Sequence, residues 1–282
     1  MNKKLFLQLL VSCLIILSTS YSIAKSISAT DALVQPYNIS FGDSGVGGLI
    51  FATDAYKDIA TYLQDIEAQY YVKFQFHHVG DSENAPYGIK PPEQIKFRSN
   101  NFIHYMVAAF KPKVAIVACN TASTIFSESY TDYVNSKFKN TAIIPIIKES
   151  AVELYNKTKV EYNPVTKKHE MHMAILATKA TIKSGVYQRA LKKIHAKQQA
   201  RKEVVMRIYT YSPESWVESI EAGAPDAVHQ KNVALSLRKM SKLYPNLAKI
   251  TSIGLFCTHF PFLSDKIRLF LKSLKIDKSP VL

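Results

Sequence analysis

Cysteine is nearly missing from this chain. Three occur in 282 residues, too few for the disulfide framework of a small secreted scaffold, and the chain lacks the compact four-ligand spacing of a structural metal centre. The glycine-rich segment near residue 45 lacks the spacing and companion acid of a dinucleotide fingerprint. Acidic residues are also scarce: 22 against 36 lysines and arginines, for a net charge of +14. Lys167-Lys168 and Lys192, Lys193, Lys197, Arg201 and Lys202 form cationic clusters. No aromatic stacking platform accompanies them, which argues for a solvated face and against a specific nucleic-acid partner.

One long apolar run is present, and it lies at the N-terminus. Lys3 and Lys4 precede Leu5 to Leu17, and Ser22-Ile23-Ala24 supplies small residues where a signal peptidase reads. Residues 1–24 are therefore expected to be a signal peptide, too short to be a convincing span. Cleavage before Lys25 removes Cys13 and sends an exported, soluble, basic chain to the bacterial periplasm.

Two cysteines then remain, Cys119 and Cys257, each at the end of a strongly apolar run. Val114 to Ala118 and Ile250 to Phe256 read as buried strands, which puts both thiols at strand carboxyl ends, where open α/β sheets bind ligands. A single structural disulfide is the competing reading. Further strands are expected at Val72 to Val79, Ile143 to Ile147, Met173 to Ala177 and Val204 to Tyr209, with helices at Leu49 to Ala60, Ile95 to Phe110, 182–198 and 226–243. The alternation predicts an α/β fold of two Rossmann-like three-layer lobes, mainly parallel sheets and an active site between them. A boundary near residue 142 puts one thiol in each lobe, 25–142 and 143–282. Tyr155 to Met171 interrupts the pattern as a surface loop or hairpin.

The strand ends carry polar side chains. Asp43-Ser44-Gly45-Val46-Gly47-Gly48 passes from an apolar segment into a helix start whose backbone N–H groups suit either an anion or a structural turn. Buried there, Asp43 needs partners, as a cap or a working carboxylate. Thr121 or Ser123 suits the cap of a following helix, and Thr178 and Thr181 either cap a helix or donate to a ligand. Glu221 supports the site or is an exposed helix acid.

In order and register, Asp43 to Gly48, Tyr87-Gly88, Cys119-Asn120-Thr121, Thr178 to Thr181 and Cys257-Thr258-His259-Phe260-Pro261 resemble the motifs of the glutamate racemases, within the aspartate/glutamate racemase superfamily. The resemblance implies cofactor-independent inversion of an amino acid, glutamate ahead of aspartate, by two cysteines that alternate as base and acid. It implies catalytic roles for Cys119, Cys257, Asp43, His259 and Glu221. Substrate contacts would come from Ser44, Tyr87, Gly88, Asn120, Thr121, Thr178, Thr181 and Thr258. No cofactor or metal is called for; Lys179 alone does not mark a pyridoxal site. The expected partner is a small amino acid, with a homodimer left open. The chain departs from the family at Gly42, Ala177 and Tyr211-Ser212-Pro213, and only residues 261–282 follow the second thiol motif, which leaves open how the first lobe is completed. An aspartate or broad-specificity racemase, and an inactive periplasmic amino-acid-binding protein, are the alternative readings.

Overall fold

The structure, a computed structural model, describes residues 36–70, 73–201 and 203–273. The expected signal peptide lies outside the described residues. In the first half the order is β1 (Tyr37–Asp43), α1 (Val46–Tyr70), β2 (Phe74–Gly80), α2 (Pro92–Phe110), β3 (Val114–Val117), α3 (Glu128–Lys137) and β4 (Ala142–Pro145). These strands form one parallel sheet, ordered β2-β1-β3-β4. Strand β3 is apolar and buried throughout, as a strand covered on both faces must be. The chain enters β4 near the expected lobe boundary, but β4 pairs with β3, so the first sheet runs on to Pro145.

The second half continues with α4 (Ile147–Lys157), β5 (Val160–Asn163), β6 (Lys168–Ala177), α5 (Lys179–Ser184), α6 (Val186–Lys197), β7 (Val205–Tyr211), α7 (Ser215–Glu221), α8 (Asp226–Leu243), β8 (Ser252–Phe256) and α9 (Ser264–Ser273). Strand β6 is central: β7 pairs along one edge, while antiparallel β5 and parallel β8 divide the other. The polar stretch after Tyr155 is therefore a hairpin that lengthens the second sheet. Asn163, next to its turn, and His172 hydrogen-bond the buried Glu170 at 2.8 and 2.9 Å and hold its carboxyl down to about 2.

The helix expected over 182–198 is broken. Gly185 sits at φ 65°, ending α5 and starting α6, because a left-handed residue cannot continue a right-handed helix. Each sheet has its own apolar packing. Cys119 lies in a cluster with Tyr87, Phe102, Ile103 and Met106, and Cys257 in one with Trp216, Leu237, Phe260 and Leu263. Ile267 and Leu271 of α9 belong to the latter cluster, so the last described helix completes the second lobe.

Candidate active site

Register brings the functional residues out side by side. In the first sheet Gly42 is opposite Val117, and Ala118 N donates to Gly42 O at 2.9 Å, so Asp43-Ser44 and Cys119-Asn120 leave adjacent strands together. In the second, Ala177 is opposite Phe256, and Thr178 and Cys257 emerge together in the same way. Both sets of strand ends carry the expected residues because parallel strands deliver their carboxyl ends to one edge.

The glycine-rich turn brings the lobes into contact. A methyl group added at Gly47 would meet Thr258 Oγ1 at 2.5 Å and the Thr258 carbonyl carbon at 2.7 Å, so only glycine lets α1 approach this closely. The amides of this turn are engaged by the protein's own carboxylates. Gly45 N donates to Asp43 Oδ1 at 3.1 Å, and Val46 N donates across the lobes to Glu221 Oε1 at 3.3 Å. The positive end of α1 thus stabilises two carboxylates of the site.

Each thiol has its own company. Cys119 Sγ lies 3.3 Å from Ser44 Oγ and accepts from Ala122 N at 3.4 Å. Burial, reinforced by the charge of Asp43, pushes its thiol up to about 12. Cys257 Sγ lies 3.7 Å from His259 Nδ1, whose other nitrogen is 2.5 Å from Glu221 Oε1. Burial pushes Cys257 up as well, and the charge of Cys119 adds to that. Charges on the two sulfurs therefore oppose each other, which favours one thiolate facing one thiol over two thiolates. Both cysteines are free, so the structural disulfide is not formed. Asp43 is fully buried and its carboxyl is raised to about 6, chiefly by desolvation, against the opposing pull of His259, Gly45, Thr258 and Ser44.

The hydroxyl residues meet across the cleft. Thr121 Oγ1 is 2.8 Å from Thr178 Oγ1 and 3.2 Å from Thr181 Oγ1, and the latter two are 2.9 Å apart. Thr178 also caps α5, accepting from Thr181 N at 3.3 Å, so the cap reading holds for it. Thr121 stands at the N-cap of the short 3-10 turn Ala122–Ile125 without a side-chain capping bond, Ser123 donates to Val117 O at 2.9 Å, and Ser127 caps α3. Gly88 packs on Thr178, where a methyl group would come within 2.5 Å of its Cβ. Tyr87, by contrast, is buried in the first lobe with its hydroxyl donated to Asp81 at 2.5 Å. That bond engages the Tyr87 hydroxyl within the first lobe, because Asp81 is six residues away and accepts it locally.

Glu221 belongs to the site through its contacts with His259 and Val46. Tyr187 was not among the expected site residues. It lies on α6, is buried, stacks on Phe256 with ring centroids 3.8 Å apart, and donates its hydroxyl to Asn120 Oδ1. The charges of both cysteines reach its phenol. This bond fixes which end of the Asn120 amide faces the cleft. The partner of Tyr187 lies 67 positions away and in the other lobe, so local spacing in the sequence gives no signal for the pair.

No family model matches the chain. A glutamate racemase of Clostridium perfringens is 32% identical over 232 residues, 82% of this chain and 73% of the relative. One from Clostridium botulinum is 31% identical over 229 residues, 81% and 73% of the two chains. Among solved structures, a glutamate racemase isoform of Bacillus anthracis superposes with a TM-score of 0.63 at 21% identity, covering 88% of this chain and 77% of that one. A Francisella tularensis glutamate racemase in complex with D-glutamate gives 0.60 at 22% identity, covering 87% and 76%. At those identities the structures speak for the fold.

Proposed function

Because the chain belongs to the glutamate racemase family, we propose that it interconverts L- and D-glutamate, using Cys119 and Cys257 as the two proton-transfer groups. The observation that carries this reading is a pair of free, buried thiols, one rooted in each lobe, that sense the same carboxylate, Asp43. Inversion at an α-carbon needs a base on one face and an acid on the other, and paired thiols supply both.

In this mechanism one sulfur, as thiolate, takes the α-proton while the opposite thiol gives its proton to the other face; the return reaction exchanges their roles. Asp43 accepts or returns the proton of Cys119. His259, braced by Glu221, does so for Cys257. Burial alone holds both thiols protonated, so a base next to each is required to generate thiolate near neutral pH. The Thr121, Thr178 and Thr181 hydroxyls and Asn120, held by Tyr187, are the polar groups for the substrate's carboxylates and amine, with Ser44 and Thr258 beside the two sulfurs.

Chiral analysis after incubation of each pure enantiomer of glutamate, aspartate and a panel of polar amino acids tests the reading. Inversion of glutamate in both directions without added cofactor is expected. Activity on aspartate alone would overturn the substrate, and no inversion of any amino acid would favour a binding protein. We also propose that the enzyme works outside the cytoplasm, from the basic start, apolar run and Ala24 site. N-terminal sequencing of the mature protein is expected to begin at Lys25, and an intact Met1 would count against it.

A further inference from the structure

We propose that His78 is a positioning residue for Asp43, its Nε2–H serving as the hydrogen-bond donor for Asp43 Oδ2. The inference rests on the catalytic part given to Asp43 above and extends it to a side chain on a neighbouring strand.

Strand β2 carries two consecutive histidines, and alternation sends them to opposite faces of the sheet. His77 is accounted for: it stacks on Phe110 with ring centroids 4.3 Å apart, and its Nε2 lies 3.2 Å from Asn38 Oδ1. His78 faces α1. It is paired in register with Phe41, two residues before Asp43 on β1, and its Nε2 is buried without a hydrogen-bond partner among the described residues. Asp43 Oδ2 is in the same condition. With its proton on Nε2, His78 is the donor that this carboxylate oxygen lacks, and the two groups flank one point. A methyl group added at Gly48 would meet His78 Nε2 at 2.8 Å and Asp43 Cγ at 2.9 Å.

Buried polar groups without partners are rare because each forfeits its bonds to water, so two complementary orphans around one residue point to a shared bond. The Gly48 backbone closes the space from α1, where a methyl would also come within 2.1 Å of Asp43 Cβ. Ser82 Oγ and Gly45 O border it at Gly80. The other charged or titratable groups acting on Asp43 come from elsewhere: Cys119 from its own lobe, and His259 and Cys257 from the second. Burial holds the imidazole below the usual histidine range, so at neutral pH it is the uncharged ring, with one N–H to give. A donor to the carboxylate favours its ionised form, the form that can take a proton from Cys119. Gly45 N donates to Asp43 Oδ1, the Thr258 hydroxyl and Ser44 N also favour the ionised carboxyl, and His78 would add a donor at Oδ2, the oxygen without a hydrogen bond of its own.

Five proteins test this: wild type, His78→Phe, Asp43→Asn, the double variant, and His78→Gln as the conservative replacement. For His78→Phe we expect kcat to fall about tenfold with KM little changed, and the acidic limb of the pH–rate profile to move to higher pH, because the carboxylate has lost a donor. His78→Gln, which can place an amide N–H near the same point, should restore most of the rate. In the Asp43→Asn background His78→Phe should cost nothing further. Equal costs in both backgrounds, or an unmoved acidic limb, would overturn the proposal. NMR titration of the histidine rings gives a readout that needs no turnover. Asp43→Asn should lower the pH at which His78 titrates, since the ring loses the neighbouring negative charge, and an unchanged titration would overturn the pairing. Absence of racemisation by wild type would sink the proposed function by itself, while the NMR result would still decide the pairing.

Discussion

At the scale of single residues, the two sulfurs are built alike in burial and unlike in company. Cys119 has a serine hydroxyl and a carboxylate beside it, and Cys257 a histidine tied to a glutamate. Cys119→Ser and Cys257→Ser should each lower racemisation by roughly 10²–10⁴-fold with the fold retained. The variants should differ in another respect. A remaining sulfur can still remove the α-proton from the enantiomer that presents it, so deuterium from solvent should enter one enantiomer with Cys119→Ser and the other with Cys257→Ser. Circular dichroism with chiral and mass analysis of recovered glutamate checks this, and near-normal inversion by either folded variant would refute the two-thiol assignment. The residues of these motifs were legible in the sequence because each stands at a strand end with short polar neighbours. Tyr187 was not, since what makes it matter is a partner on another element, Asn120, and the same holds for the pairing proposed for His78 and Asp43. Tyr87 was legible as a motif residue, yet its hydroxyl is held by Asp81, a contact that motif spacing does not reveal.

At the scale of elements, apolar runs located the strands well and said little about which sheet each would join. Ile143 to Ile147 reads as a strand, and alternation assigns it to the second lobe. Pairing with β3 assigns β4 to the first instead, because an apolar run fits any buried sheet edge and only tertiary register chooses. The Asn163-Pro164 and Lys167-Lys168 stretch reads equally as loop or hairpin. The complementary polar groups of Asn163, Thr166 and Glu170 decide for the hairpin, at 2.8 and 3.0 Å. Helix periodicity carries the eye through Gly185, although its positive φ divides that stretch into α5 and α6. The break is functional in consequence. It lets α5 present Thr178 and Thr181 while α6 turns Tyr187 back onto Asn120 and Phe256, so one glycine allows two short helices to address one cleft. The turn at Gly45 to Gly48 works similarly from the other lobe, laying the first turn of α1 against Thr258 on one side and Asp43 on the other.

At the scale of the whole molecule, apolar packing is concentrated within each lobe, and the contacts named across the cleft are polar: the threonine cluster, Tyr187 with Asn120, Val46 N with Glu221, and Asp43 beside Thr258 and His259. A joint of this kind places a buried carboxyl at the centre of the molecule, and its cost is felt by the entire fold. The Asp43 carboxyl is raised from 3.8 to about 6, so between those values the folded protein keeps a proton that the unfolded chain releases. This contribution to stability is therefore complete below 3.8 and is lost as pH rises through about 6. Asp43→Asn keeps the shape of the side chain and carries no charge at any pH. It should leave stability nearly unchanged at the acidic end of the range and raise it above pH 6, by on the order of 1–3 kcal/mol. Urea denaturation of wild type and Asp43→Asn across this range measures the difference directly. A gain that is the same at every pH would mean the carboxyl does not titrate at this joint. A gain that grows through pH 6, together with lost racemisation, would show that the protein bears an unfavourable buried charge because proton transfer at Cys119 requires it.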